Sequence, residues 1–541
     1  MPLWPKGHGN VMLWLNLVGE AGLDQGKVLD FMGRAGTYDP PPATVECIET
    51  HASYVFLVGD FAFKVKRAVK YPFLDFSTLE KRRIACLNEL RLNTRTAPQL
   101  YLEVVPITVE AGGDFRLGGD GEPLEWALVM RRFAQSGLFD RMAEEGRLSL
   151  DMMGRLAEVI ASFHTSADRI LTQEQAVLPL SGIIAEHEDV LAGAPDGFPP
   201  EAAQQLVQLT RANFNGLSPL LRDRARDGYV RHCHGDLHLR NIVEIAGQPV
   251  LFDALEFDDR LATIDVLYDL AFLLMDLGKR GLKAHASAVL NAYLDAGGTG
   301  NLLGLAALPL FLSLRAMIRA KVELLRAQTA ASAERSRLHD DVGAYFRLAC
   351  SVLAPARPRL IAIGGLSGSG KSVVARAIAA EIGPFPGAVI VRSDLERKRL
   401  FGVAPDARLP TEAYTQAISD QVYAQCRKRA GLALAAGRPV ILDAVHAKPQ
   451  ERDAVTALAA SHGAAFTGLW LDVPAELMRE RVGKRQGDVS DATPSVVDAQ
   501  LAYDLGAIAF ARIDASVSVD DVAVRCLDRI RDGNVSLFTL C

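Results

Sequence analysis

Short apolar runs dominate the first part of the chain, between residues 45 and 132. These runs are five to nine residues long and rich in β-branched and aromatic residues, which is typical of strands. The stretch from Leu79 to Leu92 follows a helical period instead, and glycine-rich clusters at 112–113 and 118–121 indicate hairpin turns. The predicted strands run from Tyr54 to Val58, Phe61 to Val65, Tyr101 to Val109 and Leu124 to Arg132.

From Leu148 to Ala349 the pattern is mainly helical, and it is interrupted by a polar loop near residue 230 with two short strands. A proline-bearing segment, Leu353 to Arg359, separates this region from the rest of the chain. Beyond that segment, apolar strands alternate with helical stretches, which predicts a parallel sheet with helices on both faces. These strands are expected at 360–363, 388–391, 440–442 and 467–471.

The changes of pattern also predict the domain limits. Residues 1–30 are expected to form an N-terminal extension, residues 353–359 a linker and residues 360–541 an α/β domain. Residues 31–352 are expected to form a first domain, β-rich to about residue 133 and helical after it. The apolar run at 11–18 is interpreted as an amphipathic first helix or as sequence upstream of the natural start, not as a signal peptide.

Composition narrows the class of protein. The 541 residues are 49% hydrophobic and 23% charged, with a net charge of −6, which does not indicate a general nucleic-acid binder. Seven scattered cysteines without a CxxC pair favour the reducing cytoplasm over a disulfide framework. No run of about 18 uninterrupted apolar residues is present, so we expect a cytoplasmic protein without a membrane-spanning helix.

A phosphate-binding motif follows the first strand of the last third. In this G-x-x-x-x-G-K-[ST] pattern, backbone N–H groups surround phosphates, Lys371 adds positive charge and the Ser372 hydroxyl can bind Mg²⁺. A plain Gly/Ser-rich turn is the alternative, but such a turn seldom joins an apolar strand to a helical pattern. We therefore expect ATP and Mg²⁺ as cofactors. The motif comprises Gly365, Leu366, Ser367, Gly368, Ser369, Gly370, Lys371 and Ser372.

A second group of polar residues lies in the loop near residue 230, where His234-Gly235-Asp236 precedes Asn241, and an apolar run ends at Asp253. Phosphoryl transfer to a hydroxyl needs a carboxylate that orients or accepts the hydroxyl proton, with an amide and a second carboxylate to hold the metal. Asp236, Asn241 and Asp253 provide these groups. They predict a second site that uses Mg·ATP.

Other interpretations of this region stay open. Imidazole and thiolate are usual transition-metal ligands, but the spacing here lacks a second Cys/His pair. The four side chains that could form such a site are His232, Cys233, His234 and His238. Glu256, Asp258 and Asp259 are expected to lie in a solvated loop, whereas Asp265 and Asp269 are expected to cap or brace the next helix.

The loop resembles the H-G-D-x-x-x-x-N motif of the aminoglycoside phosphotransferase and choline kinase group, over roughly residues 45–345. The resemblance implies a bilobal α+β protein-kinase-like fold in which Asp236 is the catalytic base. It also implies a strand lysine, Lys64 or Lys66, paired with a helix glutamate, for which Glu89 is the candidate. Both lysines lie on one strand face, so the pattern does not choose between them. The chain departs from the group at Thr50–Tyr54, where a glycine-rich loop is missing.

In the last third, Asp394 follows the second strand and Arg397 comes three residues later. Asp394 could act as a base and Arg397 could bind an anionic acceptor, although a helix cap with a surface arginine is the alternative. Asp443 ends an apolar strand and could reach Mg²⁺. Arg481 and Arg485 lie one helical turn apart and could close over the phosphates as a lid, with a solvated helix face as the alternative.

The segment from Leu360 to about Arg531 resembles the small phosphate-loop kinases, including gluconate kinase, zeta toxins and the kinase domain of polynucleotide kinase. The whole chain resembles a bacterial family that joins the two kinds of module. This implies a bifunctional ATP-dependent phosphotransferase, with a small-molecule hydroxyl as the acceptor of the first module. A metabolite, a nucleotide-sugar or a nucleic-acid end stays open for the second module, with nucleic acid not favoured. A regulatory ATPase switch and a toxin-like kinase are the alternatives.

Overall fold

The computed structural model describes residues 22–50, 52–71, 74–170, 172, 174–193, 197–484 and 489–535. The chain divides into two compact units. The first comprises Met1–Arg147 and His234–Ala262, and the second comprises Leu148–Cys233 and Thr263–Cys541. The interpretations of the apolar run at 11–18 fall outside the described residues.

An antiparallel sheet of six strands, in the order β1-β2-β3-β8-β6-β7, forms the centre of the first unit. All four strands predicted from the pattern are present within a residue or two of the expected limits. The pattern did not predict β1 and β7. The six strands of this sheet are β1 (Val45–Glu49), β2 (Ser53–Val58), β3 (Phe61–Lys66), β6 (Tyr101–Val109), β7 (Phe115–Leu117) and β8 (Glu122–Arg131). Two further short strands that the pattern did not predict, β4 (Lys70–Tyr71) and β5 (Leu74–Asp75), pair with each other in a separate sheet.

Helix α1 (Gly22–Met32) packs on one face of this sheet through Val28 and Met32, which join a core cluster with Phe56 and Val65. The Gln25 side-chain nitrogen donates to the Lys66 carbonyl at 2.7 Å. The helix therefore starts within residues 1–30, the range that the pattern assigns to an extension, and contributes to the core of the first unit.

Helix α2 (Leu79–Asn93) carries the candidate glutamate. The Thr78 hydroxyl caps its N-terminus by accepting from the Lys81 N–H at 3.3 Å. The helix buries Glu89, and also Arg82, which pairs with Glu125 at 2.8 Å. This cap and the buried ion pair fix the helix position, which in turn fixes Glu89. Helix α3 (Phe139–Glu144) follows the sheet.

The chain then enters the second unit with α4 (Leu150–Ser166), α5 (Glu174–Gly193), α6 (Pro200–Arg226) and β9 (Val230–His232). It returns to the first unit with the hairpin β10 (Ile242–Ile245) and β11 (Gln248–Leu251) and the short helix α7 (Asp259–Ala262). The second unit resumes with β12 (Thr263–Asp265), α8 (Val266–Lys279), α9 (Lys283–Ala296), α10 (Gly300–Gly304), α11 (Leu308–Thr329) and α12 (Ser332–Val352).

Asp265 is the N-cap of α8 and accepts from the Leu267 N–H at 2.8 Å, which confirms its capping role. Among the described residues, one helical stretch, Gly300–Gln328, has the length and composition to cross a membrane. In its apolar window 78% is buried inside the protein, as is usual for a core helix.

The last part of the second unit contains a five-stranded sheet in the order β14-β15-β13-β16-β17, with every pairing parallel. This confirms the predicted parallel sheet, to which β17 adds a strand that the pattern missed. Its strands are β13 (Arg359–Gly364), β14 (Val389–Arg392), β15 (Val440–Asp443), β16 (Ala465–Asp472) and β17 (Ala511–Asp514). Its helices are α13 (Lys371–Ala379), α14 (Ser393–Leu400), α15 (Gln416–Ala435), α16 (Pro449–Ser461), α17 (Ala475–Gly483), α18 (Pro494–Leu501) and α19 (Val519–Val535).

Candidate active sites

Lys64 on β3 lies at the centre of the candidate site in the first unit. Its Nζ is 2.7 Å from Glu89 Oε1 on α2 and 2.7 Å from Asp253 Oδ1. Burial by itself would lower the pKa of Lys64, but Asp253 and Glu89 raise it well above its usual value, so the ammonium stays charged. A strand lysine bound to a helix glutamate is the arrangement that protein kinases use to hold ATP phosphates.

Lys66, two residues further along β3, lies deeper. Its Nζ is 2.5 Å from Glu89 Oε2 and 2.5 Å from Glu256 Oε1, and 1% of its side chain is exposed. The expectation that Glu256 lies in a solvated loop was wrong, because Glu256 pairs with the buried Lys66. Asp258 fits the expectation better, since it pairs with the exposed Arg260.

The backbone around Asp253 is held by contacts from α2 and β6. The Asp253 N–H donates to the Tyr101 hydroxyl oxygen at 3.0 Å, and the Ala254 N–H donates to Asn93 Oδ1 at 2.8 Å. Asp253 has a φ of 59°, a left-handed conformation that is uncommon for a residue other than glycine. Such strain is typical of functional sites, where the surrounding contacts compensate for its cost.

The side chains of Asp236 and Asn241 are in direct contact, since Asn241 Nδ2 donates to Asp236 Oδ2 at 2.9 Å. The same amide nitrogen donates to the Asp236 carbonyl at 2.9 Å. His234 belongs to this network through its Nε2, which lies 2.9 Å from the Phe252 carbonyl oxygen. The Asp236 loop and the Asp253 loop are therefore linked within one unit, as their predicted roles require.

The donor groups of this site suit Mg²⁺, which prefers oxygen ligands. The hydrogen bonds of Asn241 to the 236 loop use its amide nitrogen, so its amide oxygen can serve as a metal ligand. Asp253 supplies a carboxylate whose pKa falls below its usual value, because Lys64 outweighs the opposing effect of burial. The residues predicted from the sequence thus fit a metal that carries nucleotide phosphates.

A buried group of potential metal ligands does occur, but it differs from the four loop residues considered above. Among the described residues, His164, Cys233 and Asp269 bring their ligand atoms within 4.8 Å of one another. Both ring nitrogens of His164 have partners, since Nε2 lies 3.0 Å from Asp269 Oδ2 and Nδ1 lies 2.9 Å from the Tyr293 hydroxyl. This group is therefore a hydrogen-bonded element of the helical core.

The phosphate loop in the second unit has the backbone geometry that its glycines permit. Gly365, Gly368 and Gly370 have φ values of 139°, 85° and 92°. A Cβ on Gly368 would lie 2.6 Å from the Met478 carbonyl oxygen on α17, so a side chain there would displace the loop. Within the loop, the Ser369 N–H donates to the Leu366 carbonyl at 3.1 Å.

Lys371 and Ser372 begin α13 at the end of this loop. Lys371 Nζ donates to the Leu366 carbonyl at 3.1 Å, and Ser372 Oγ donates to Asp443 Oδ2 at 2.5 Å. Burial raises the pKa of Asp443, an effect that Arg392 and Lys371 oppose. The hydroxyl of Ser372 and the carboxylate of Asp443 form an oxygen donor pair suited to Mg²⁺.

Helices α17 and α18 cover the same loop. Arg481 lies beside Gly370, since a Cβ on that glycine would be 3.8 Å from Arg481 Nη1. Its Nη2 donates to the Ala515 carbonyl at 3.0 Å. Gln500, which the sequence reasoning missed, accepts from the Ser367 N–H through Oε1 at 2.7 Å. Arg485 lies outside the described residues.

Asp394 and Arg397 both lie on α14 but in different environments. Asp394 is half-buried in the first turn, near enough to Asp443 to raise that carboxyl's pKa. Arg397 is 8% exposed, so the alternative of a surface arginine was wrong. It donates from Nη1 to the Ala413 carbonyl at 2.6 Å and stacks 4.9 Å from the Tyr414 ring centre. Arg397 therefore braces the segment that contains Ala413 and Tyr414.

Residues 360–504 match the family described as AAA domain. An uncharacterised protein of Mycobacterium tuberculosis is 32% identical over 480 residues, covering 86% of this chain and 92% of that protein. An uncharacterised protein of Mycobacterium bovis matches to the same extent. The likeness to both spans nearly the full length of the chain.

Several solved structures are similar to part of the chain. A gluconokinase from Sinorhizobium meliloti 1021 covers 34% of this chain and 98% of its own, with 21% identity and a TM-score of 0.26. A choline/ethanolamine kinase family protein from Mesorhizobium loti covers 60% of this chain and 98% of its own, with 15% identity and a TM-score of 0.36. An APS kinase from Mycobacterium tuberculosis covers 33% and 99%, with 19% identity and a TM-score of 0.24.

Proposed function

The chain belongs to one family with the uncharacterised mycobacterial proteins, and we propose that it is a bifunctional ATP-dependent phosphotransferase. In this proposal, residues 31–352 form a bilobal kinase-like domain and residues 360–541 a phosphate-loop kinase domain. Each transfers the γ-phosphoryl group of Mg·ATP to a hydroxyl acceptor.

One observation supports this function best: Lys64 Nζ lies 2.7 Å from both Glu89 and Asp253. The glutamate orients the lysine, and the aspartate places a metal ligand next to it. Phosphoryl transfer requires little covalent chemistry from the protein, so positioning and charge stabilisation account for most of catalysis. A lysine and a metal ligand held at one point supply both.

Within the first site, each residue has a separate task. Lys64 neutralises phosphate oxygens, and Asn241 and Asp253 would hold Mg²⁺, which would draw charge away from the phosphoryl group. Asp236 orients the acceptor hydroxyl and takes up its proton as the new P–O bond forms, while the bond from the γ-phosphorus to the bridging oxygen breaks and ADP leaves. The hydrogen bond from Asn241 Nδ2 keeps the Asp236 carboxylate in place for that step.

In the second site, the glycine-rich backbone and Lys371 bind the phosphates, while Ser372 and Asp443 would hold Mg²⁺. Arg481, beside Gly370, stabilises the charge that develops on the phosphoryl group, and Arg485 is proposed to assist it. Asp394 is the proposed base, because it lies at the carboxyl edge of the parallel sheet near Asp443. Arg397 contributes by fixing the segment at 413–414, where burial raises the pKa of Tyr414 and the Asp394 carboxylate lies near enough to raise it further.

The acceptors follow from this chemistry only as classes. A small-molecule hydroxyl is proposed for the first site, since its scaffold serves many such substrates. A metabolite, nucleotide-sugar or nucleic-acid end is proposed for the second, with nucleic acid disfavoured by the net charge of −6. We propose a cytoplasmic location, where ATP and Mg²⁺ are abundant.

The test is transfer of label from γ-³²P ATP to a cell-metabolite extract by the full chain. Wild type is compared with Asp236→Ala, Lys371→Ala and the double variant. We expect two classes of labelled product, one lost with each single variant, and we expect the double variant to form neither. Arg531→Ala, which alters an exposed residue far along α19, is the matched control and should keep both products.

Other outcomes separate the alternatives. Release of labelled phosphate without any labelled product would contradict transfer and favour a regulatory ATPase switch. Growth arrest on expression that Asp394→Ala relieves would favour a toxin-like kinase. Retention of every product in the double variant would show that neither proposed site performs the chemistry.

A further inference from the structure

Lys66 is an ion-paired lysine that the proposed transfer mechanism does not use. Its Nζ lies 2.5 Å from Glu89 and 2.5 Å from Glu256, and 5.3 Å from the ring centre of Phe76. Burial alone would lower the pKa of this lysine, but Glu256 and Glu89 raise it above its usual value, so it remains charged. A charged lysine with 1% exposure is retained at a substantial desolvation cost.

The two lysines differ in what they contact. Lys64 has 15% of its side chain exposed and touches Asp253, the proposed metal ligand. Lys66 touches Glu256, three residues after that ligand in the same loop. Glu89 lies between them and uses one carboxylate oxygen for each lysine. The lysines thus bind two points of one loop and share one glutamate.

The cluster around Glu89 contains more carboxylates than ammonium groups. Two ammonium groups face three carboxylates in this cluster, which leaves one net negative charge before any ligand binds. When Lys64 turns to phosphate oxygens and Asp253 to a metal, their mutual ion pair weakens. The pair between Lys66 and Glu256 involves neither Lys64 nor Asp253, so ligand binding would leave it intact and it would still tie the loop to β3.

We propose that Lys66 is a positioning residue: its ion pair with Glu256 holds the Asp253 loop on β3 while Lys64 contacts ATP. This inference rests on the proposed function of the first site. It assigns the ATP contact to Lys64 and gives Lys66 a role in metal affinity. Partners behind a metal ligand commonly change affinity by about 10- to 100-fold when they are removed.

The experiment uses the full chain with Lys371→Ala, so that nucleotide binding reports on the first site. Lys64→Met, Lys66→Met, Lys66→Arg and Glu256→Gln are compared with Lys70→Met, which alters a lysine with 70% exposure after the same strand. Calorimetry measures ATP affinity in EDTA and the Mg²⁺ concentration for half-saturation with ATP present. Hydrogen exchange of residues 253–258 and the melting temperature are measured without nucleotide.

Lys64→Met should weaken metal-free ATP binding about tenfold or more, because it removes a charged contact to phosphate. Lys66→Met should change that affinity less than about twofold while raising the half-saturating Mg²⁺ concentration about 10- to 100-fold. Glu256→Gln, which keeps the size of the side chain, should also raise the half-saturating Mg²⁺ concentration. Lys66→Arg keeps the positive charge and should raise that concentration less than Lys66→Met does. If Lys66→Met does not fold, Glu256→Gln carries the test.

Equal losses of metal-free ATP affinity in Lys64→Met and Lys66→Met would overturn the assignment, as would an unchanged Mg²⁺ dependence in Glu256→Gln. Failure of the proposed function looks different: the Lys371→Ala protein would bind no Mg·ATP at all. Hydrogen exchange then still decides the positioning role. Faster exchange at 253–258 in Lys66→Met than in Lys70→Met supports the role, and equal exchange contradicts it.

Discussion

The side chain of Asn291 hydrogen-bonds to the edge-strand segment of the parallel sheet through both of its polar atoms. Its Oδ1 accepts from the Ile390 N–H at 2.7 Å. Its Nδ2 donates to the Ala388 carbonyl at 3.1 Å. Asn291 lies on α9, and Asp295 one turn later accepts from Arg399 Nη2 on α14 at 2.8 Å. Helix α9 therefore provides partners for strand groups that would otherwise be unpaired, in the strand that leads to Asp394.

Replacing Asn291 with alanine should lower the free energy of unfolding by about 1–3 kcal/mol, because it leaves a buried backbone N–H and carbonyl without partners. Chemical denaturation of the full chain measures this change. Asn213→Ala is the control, since Asn213 is less buried and donates only to the Leu209 carbonyl of its own helix. Equal effects of the two substitutions would mean that Asn291 does not support the sheet edge.

Arg481 should act on transfer more than on nucleotide binding, because its proposed role is to stabilise charge on the phosphoryl group. Arg481→Ala is expected to lower the rate of product formation by the second site about 100- to 1,000-fold. The affinity for ADP should stay within about threefold. Arg479→Ala, on the same helix α17, is the control because Arg479 is paired with exposed Asp498. A loss of ADP affinity as large as the loss of rate would contradict the lid role.

Each of the two sites should bind one nucleotide. Calorimetry with the ATP analogue AMPPNP and Mg²⁺ should give two molecules per wild-type chain, because the phosphate loop and the Lys64 site use separate residues. Lys371→Ala and Lys64→Met should each give one, and the combined variant none. A stoichiometry of one for wild type would contradict a two-site enzyme.

Much of this arrangement follows from local sequence signals. The strand limits in both sheets follow the apolar runs, and the phosphate loop and the HGD loop are recognisable because spacing along the chain fixes which atoms can converge. Ser372 and Asp443 were predicted as metal ligands, and their 2.5 Å hydrogen bond places them together at the end of the phosphate loop. Their use in binding metal stays a prediction.

Contacts between distant segments were not accessible in the same way. Glu256 was assigned to solvent because acidic loop residues usually are, and the pairing with Lys66 depends on a contact 190 residues away in sequence. Arg397 was placed on the surface or on an acceptor, but tertiary packing against the segment at 413–414 buries it. Gln500 carried no sequence signal, because a glutamine that bonds a backbone N–H belongs to no motif.

The pH dependence of stability should reflect His446, which follows the Asp443 strand. Burial lowers the pKa of His446 from 6.5 to about 3, and the charges of Lys371, Arg452 and Arg427 act in the same direction. The unfolded chain therefore takes up a proton near pH 6.5 that the folded chain excludes until about pH 3. The contribution of neutral His446 to stability is fully present above pH 6.5, the pKa of histidine in the unfolded chain, and falls as the pH decreases from there toward 3.

Because of His446, the free energy of unfolding should fall by about 2 kcal/mol as the pH decreases from 7 to 5. His187, whose pKa burial also lowers to about 3, should add a similar loss. Denaturation midpoints measured at pH 7, 6 and 5 should show that His446→Asn has a shallower pH slope than wild type, whatever its absolute stability. His339→Asn, at an exposed position, should leave the slope unchanged. A wild-type slope in His446→Asn would mean that the buried imidazole takes up its proton without unfolding.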